Sequence, residues 1–181
     1  MKSLLFLTII FLSNFSFSQK ISLQEENINF LSVSNVNSIL VEIPYANPDF
    51  IDVRIKKLLK SWGKHKESKG EHSSLMVEMK EMGKMPFNVY AKASLGNNEN
   101  TRVNFGFDLG GAFLSKSEHT EKFEVVAKLI TEFASDVVKD WISEELKSEE
   151  KILSQLQKDQ KELEKRKEHL EKEIQDFNKK I

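Results

Sequence analysis

The last third of the chain combines a seven-residue apolar repeat with the absence of helix-breaking residues. Neither glycine nor proline occurs between Ala112 and Ile181. Two apolar series, offset by three positions, recur every seven residues here and together include Leu146, Leu153, Leu156, Leu163, Leu170, Ile174, Phe177 and Ile181. Such a repeat is typical of the a and d positions of a coiled coil, which one helix cannot bury alone. We therefore expect a coiled-coil arm over residues 146–181, and we call its apolar stripe the seam.

Polar residues limit what this seam can assemble. Gln160 and Lys167 occupy a positions, which weakens the seam and disfavours large oligomers, since their a positions are drier. Flanking charges do not fix the orientation: a parallel pair would bring Arg166 to Glu171, but would also place two acidic residues together. The predicted partner is a second copy or another exported protein. The alternative is a helix that stays solvated or folds back on its own domain.

The first residues predict a signal peptide over residues 1–18. Lys2 precedes the apolar run Leu4–Leu12, and Ser16–Ser18 supplies a small-x-small cleavage site before Gln19. The run is about half the ~20 residues that a membrane-spanning helix needs, so no transmembrane segment is expected after cleavage. The chain has no cysteine, which excludes both a lipid-modified cysteine and disulfides. We expect a periplasmic or secreted protein.

Charge and length restrict the class of protein further. The chain has 27 basic and 28 acidic residues, and removal of Lys2 with the signal peptide leaves 26 basic ones. A nucleic-acid-binding protein normally has a clear excess of basic residues, so we do not expect this chain to bind nucleic acid. Residues 38–145 are long enough for one globular domain with its own core.

Alternating and helical patterns predict the elements of that domain. Residues 19–37 are expected to form an N-terminal arm or an edge strand, and Ile39–Ile43 a strand that ends at Pro44. Asn47 and Pro48 are good helix-start residues and Gly63 a good terminator, which predicts a helix over 48–62. Residues 64–71 are polar and are expected to form a loop. Three further strands are predicted over Ser74–Lys80, Phe87–Ser94 and Arg102–Leu109.

The final helix is expected to close this domain and then leave it. Ser115 and Glu118 match a capping box, so the helix should begin there. Its first half has a broad apolar stripe that suits packing on a sheet, and the stripe narrows to the seam near Leu146. The fold class predicted is α+β: an antiparallel sheet with helices on one face, plus a long C-terminal helix that extends into a coiled coil.

No residue pattern predicts a catalytic, cofactor or metal site. Four methionines at intervals of three, Met76 to Met85, could supply soft ligands for copper, but on a strand their side chains would alternate between faces, so packing is the preferred interpretation. The four histidines show no metal-ligand spacing and are interpreted as surface residues. Asp108 lacks a nearby acid–base partner and is expected to bond to a turn.

The last predicted strand runs into the eight-residue segment Phe107–Leu114 (FDLGGAFL). Together with the signal peptide, the small α+β domain and the coiled-coil end, this segment resembles uncharacterised exported bacterial proteins of the same layout. The resemblance implies no activity, cofactor or catalytic residue.

These features favour a non-catalytic exported interaction or scaffold protein rather than an enzyme. The alternative is a protein of the cell envelope that binds a small ligand, such as a glycan, a lipid or a soft metal. That site would be lined either by Tyr90, Arg102, Asn104 and Asp108 on the sheet face without helices, or by the methionine stretch Met76 to Met85.

Overall fold

Six antiparallel strands form one sheet in the order β1-β2-β6-β5-β4-β3. The computed structural model describes residues 21–97 and 100–179. The strands are β1 (Leu23–Ile28), β2 (Val36–Ile43), β3 (Lys64–Ser68), β4 (Glu71–Val77), β5 (Phe87–Leu95) and β6 (Thr101–Asp108). Helix α1 (Pro48–Trp62) follows β2, a 3₁₀ turn (Lys80–Met82) follows β4, and helix α2 (Thr120–Asn178) ends the described chain. The predicted α+β class with an antiparallel sheet and a long C-terminal helix is confirmed.

Strand β1 forms one edge of the sheet. It pairs antiparallel with β2, with Leu23 opposite Val41 and Ile28 opposite Val36. Of the two expectations for residues 19–37, the edge strand is the one observed, and β2 begins three residues before the predicted Ile39. The predicted signal peptide, the hairpin tip 98–99 and the last seam residue, Ile181, lie outside the described residues.

Helix α1 has the predicted bounds because its signals are local. The side chain of Asn47 accepts a hydrogen bond from the backbone N–H of Phe50 at 2.8 Å, as an N-cap does. Pro48 occupies the first turn, where its missing N–H costs little. Ile51, Ile55 and Leu59 are buried against the sheet.

Residues 64–71 form part of a β-hairpin, so the prediction of a loop there is wrong. β3 pairs antiparallel with β4. Lys69 (φ 49°) and Gly70 (φ 75°) form the connecting turn, and two successive positive φ angles are typical of the tight turns that suit hairpins. β3 is an edge strand whose residues are polar and mostly exposed, so it has no alternating apolar pattern.

Strand β4 begins and ends three residues before the predicted Ser74–Lys80. The ladder between β4 and β5 shifts register between Ser74 and Val77, and Met76 in this bulge has a positive φ of 55°. The predicted strands Phe87–Ser94 and Arg102–Leu109 agree with β5 and β6 to within one residue at each end.

The core lies between one sheet face and both helices. Phe105 of β6 packs edge-on against Phe133 of α2, with ring centroids 5.6 Å apart. Trp62 of α1 lies 6.4 Å from Phe107 on the same sheet face. The buried side chains that α2 contributes are Phe123, Val126, Ile130, Phe133, Ala134 and Val137. The prediction that helices pack on one face is therefore confirmed.

Helix α2 begins later than the capping box suggests. The hydroxyl of Ser115 accepts a hydrogen bond from the backbone N–H of Glu118 at 3.3 Å, but residues 116–118 form a separate turn. The helix itself starts at Thr120, and its cap residue, His119, makes no side-chain capping bond. Among the described residues, no helix is both long enough and apolar enough to cross a membrane.

Candidate functional site

The second half of α2 makes no buried contact with the domain. Every described residue from Ile142 to Lys179 is exposed, whereas the first half of the same helix is part of the core. The seven described seam side chains are between 49% (Leu170) and 66% (Leu163) exposed. The sequence-predicted seam thus lies uncovered along one continuous helix.

The seam and the opposite side of the arm differ sharply in chemistry. With Leu146 at an a position, the f positions farthest from the seam are all lysines, namely Lys151, Lys158, Lys165, Lys172 and Lys179. A helix that is solvated on all sides has no need of this segregation, whereas a paired helix keeps its outermost positions charged.

Side chains of α1 hold the base of the arm. The guanidinium of Arg54 lies 2.9 Å from a carboxylate oxygen of Glu144 and 3.7 Å from one of Asp140. The same guanidinium stacks over the ring of Phe50, which packs edge-on against Trp141 with ring centroids 4.9 Å apart. These contacts join α1 to the part of α2 from which the arm continues.

The polar side chains expected to line a small-ligand site on the other sheet face already bond to other residues of the chain. Glu26 of β1 accepts hydrogen bonds from Arg102 at 2.6 Å and from Asn104 at 2.5 Å. Asn104 also donates to the hydroxyl of Ser38 at 3.1 Å and is almost fully buried. Glu26 therefore neutralises the cation that a ligand on this face would contact.

Phe30 covers the middle of the same face. Its ring centroid lies 5.7 Å from that of Tyr90, and the ammonium of Lys92 lies 5.2 Å from it. Burial, followed by the nearby charge of Asp108, raises the pKa of Tyr90 above its ordinary value. Asp108 accepts a hydrogen bond from the backbone N–H of Gly110 at 2.9 Å, which confirms the expected turn bond.

The four methionines have different environments. Met82 is buried in the core and Met79 packs against it, which confirms the packing interpretation for these two. Met76 and Met85 are largely exposed.

The hairpin β3–β4 brings together two of the histidines interpreted as surface residues. Nε2 of His65 lies 2.9 Å from Nδ1 of His72, and the rings are stacked with centroids 5.2 Å apart. Nε2 of His72 lies 2.6 Å from a carboxylate oxygen of Asp52 on α1. His72 is 1% exposed, so the surface interpretation is wrong for this residue.

A carboxylate completes this cluster. Glu67 lies directly opposite His72 in the hairpin register and pairs with Lys56 of α1 at 2.6 Å. The hydrogen bond from Lys56 lowers the pKa of Glu67, while the same bond raises the pKa of Lys56. Burial, followed by the charges of His72 and Lys60, lowers the pKa of His65. We call His65, Glu67 and His72 the hairpin cluster.

Sequence reasoning missed the hairpin cluster because it depends on the register of a turn. His65 and Glu67 are two residues apart and so share one side of β3, and the two-residue turn Lys69–Gly70 places His72 opposite Glu67. The signal available was Gly70 between polar segments that contain His-x-Glu and His. The other two histidines lie elsewhere, His119 at the start of α2 and His169 on the arm.

Comparisons of the chain with protein-family models, with curated proteins and with solved structures returned no match.

Proposed function

We propose that the chain is a non-catalytic exported scaffold protein whose arm pairs with the arm of a second copy. The single observation that carries this proposal is the uncovered seam on a helix that is continuous with the core. Export rests on the sequence of residues 1–18, which predicts cleavage before Gln19.

Pairing is supported by the free energy that the seam would gain. Full burial of one leucine side chain is worth about 1.5–3 kcal/mol, and the arm exposes five leucines along the seam. Soluble proteins rarely leave a long contiguous apolar surface in water unless it is an interaction site. The seam begins beyond Trp141, so the domain of the same chain leaves it free.

A second copy suits the seam better than a larger assembly. Gln160 and Lys167 stay close to solvent in a two-stranded coil, whereas a bundle of several helices would bury them more fully. The row of lysines on the opposite side keeps the outer surface of the pair charged. Small-ligand binding on the sheet is less favoured, because Glu26 and Phe30 occupy the residues expected to line that site.

The proposal is tested by the mass of the chain from Gln19 in solution. Size-exclusion chromatography with light scattering at micromolar concentrations should give the mass of two copies. A truncation after Glu145 removes the seam and should give one copy, with Trp62 and Trp141 fluorescence as the check that the domain is folded.

Matched glutamine variants separate the seam from the helix itself. The double variant L156Q/L163Q should be monomeric, because it puts polar groups at two central d positions. The control K158Q/K165Q makes the same number of substitutions at f positions with similar helix propensity, and it should stay dimeric. A monomeric mass for the unmodified chain throughout the concentration range would contradict the proposal, as would a dimer that survives L156Q/L163Q.

A further inference from the structure

The hairpin cluster has the composition of a transition-metal site and lies away from the arm. Two imidazoles and one carboxylate are a common set of three protein ligands for zinc, with a fourth position left for water. The three ligand atoms all lie within 4.8 Å of one another. Within residues 21–97 and 100–179, this is the one group of three such side chains close enough to share an ion.

We propose that His65, Glu67 and His72 bind a divalent transition-metal ion of the Zn²⁺ class. This inference is independent of the proposed pairing of the arms. The bonds would be made by Nε2 of His65, Nδ1 of His72 and a carboxylate oxygen of Glu67.

Only small movements separate the observed geometry from a coordinated one. Zn²⁺ with bonds of about 2.0–2.1 Å holds tetrahedral ligand atoms roughly 3.3 Å apart. The two imidazole nitrogens are 2.9 Å apart, so they must separate by a few tenths of an ångström. The side chain of Glu67 is exposed and can rotate to bring its carboxylate within bonding distance of the ion.

Asp52 prepares His72 for this role. A neutral histidine that donates Nε2–H to a carboxylate presents the lone pair of Nδ1, and ligating histidines are commonly oriented in this way. The Asp52–His72 contact of 2.6 Å fixes the ring so that Nδ1 points at His65. Because the side chain of His72 is fully buried, the ring cannot turn away into solvent.

Lys56 competes with the metal for Glu67. Its ammonium lies 2.6 Å from the carboxylate oxygen, but the side chain is 42% exposed and can move into water. Exposed ion pairs are weak, so removal of this pair should strengthen metal binding by about twofold to fivefold. If these residues served only to hold the hairpin on α1, removal of Lys56 would give no gain in Zn²⁺ affinity.

Titration calorimetry with Zn²⁺ near neutral pH, on the chain from Gln19, tests the proposal. We expect one ion per chain, with affinity reduced about tenfold or more by H65Q and by E67Q. These two residues are half-buried and exposed, respectively, so their variants should fold, which circular dichroism will verify. The control H169Q removes an exposed histidine of the arm and should leave the affinity unchanged.

The variant K56Q gives the decisive second readout, since its affinity for Zn²⁺ should rise. Absence of Zn²⁺ binding by the unmodified chain would overturn the proposal. Equal affinity after H65Q would place the ion elsewhere and would also overturn it. Unchanged affinity after E67Q, together with unchanged or weaker affinity after K56Q, would rule out Glu67 as a ligand and overturn the proposal.

Discussion

Gly106 of β6 lies under the side chains of Val36 and Phe30, and an alanine there should collide with them. A Cβ built on Gly106 would lie 2.6 Å from Cγ1 of Val36 and 3.2 Å from Cε2 of Phe30. Non-bonded carbon atoms prefer about 3.5–4.0 Å, so Val36 must retreat by roughly 1 Å. We therefore expect G106A to destabilise the domain, mainly through the contact with Val36.

The structure sets the size of this effect. Val36 is fully buried and Gly106 pairs with strands on both sides, so neither can move freely. Overpacking of this kind costs about 1–3 kcal/mol. Replacement of a strand glycine by alanine returns about 0.5–1 kcal/mol of backbone entropy. The net loss in the free energy of unfolding should therefore lie between about 0 and 2.5 kcal/mol.

Removal of the colliding methyl group of Val36 should abolish the destabilising effect of G106A. V36A alone deletes two buried carbon atoms and should cost about 1.6 kcal/mol. In that background the new methyl group of G106A no longer meets Cγ1 of Val36 and keeps only the 3.2 Å contact with Phe30, so the second substitution should be nearly neutral. The coupling between the two sites should then be about 1–3 kcal/mol.

Urea unfolding followed by tryptophan fluorescence measures all four chains. Both tryptophans, Trp62 and Trp141, pack against the domain core, so the signal reports the domain rather than the arm. Protein concentration must be held constant, because association changes apparent stability. The control G111A adds a methyl group where no atom lies within 4 Å and should cost nothing. Equal costs of G106A with and without V36A would refute the reasoning.

Two further predictions concern the cap of α1 and the ionisation of Tyr90. N47A should lower the free energy of unfolding by about 1 kcal/mol, because it removes the acceptor for a backbone N–H in the first turn of α1. N47D keeps an acceptor and should be nearly neutral. Urea unfolding measures both variants, and equal effects would contradict the capping role of Asn47. In Y45F the remaining phenol, Tyr90, should titrate by ultraviolet absorbance above its ordinary pKa, and D108N should move the midpoint down. Because the pKa of Tyr90 is raised only in the folded state, the contribution of Tyr90 to stability is fully present below about pH 10. That contribution is lost as the pH rises through the pKa of Tyr90 in the folded protein. A midpoint unmoved by D108N would argue against the charge of Asp108 as a cause.

Local signals account for most of the fold that the sequence predicted. α1 is bounded by Asn47 with Pro48 at one end and Gly63 at the other, so short-range chemistry decides its length. β5 and β6 alternate because one side faces the core. β3 escaped prediction because cross-strand hydrogen bonds, rather than burial, hold its polar residues in place.

Contacts between distant parts of the chain account for what the sequence did not predict. Glu26 and Arg102 are 76 residues apart, and their pairing follows only once β1 and β6 flank β2. The hairpin cluster likewise needs the register of β3 against β4, and Asp52 comes from a different element again. The seam was predictable because its seven-residue period lies within a single helix.

In the proposed pair, the arm that Arg54 contacts at Asp140 and Glu144 would set the distance between two domains. No glycine or proline provides a hinge along α2, so each domain keeps a fixed heading relative to its own arm. From Leu146 to Asn178 the helix is about 50 Å long. Arms aligned in the same direction would hold two domains as neighbours, and arms in opposite directions would space them by roughly this length.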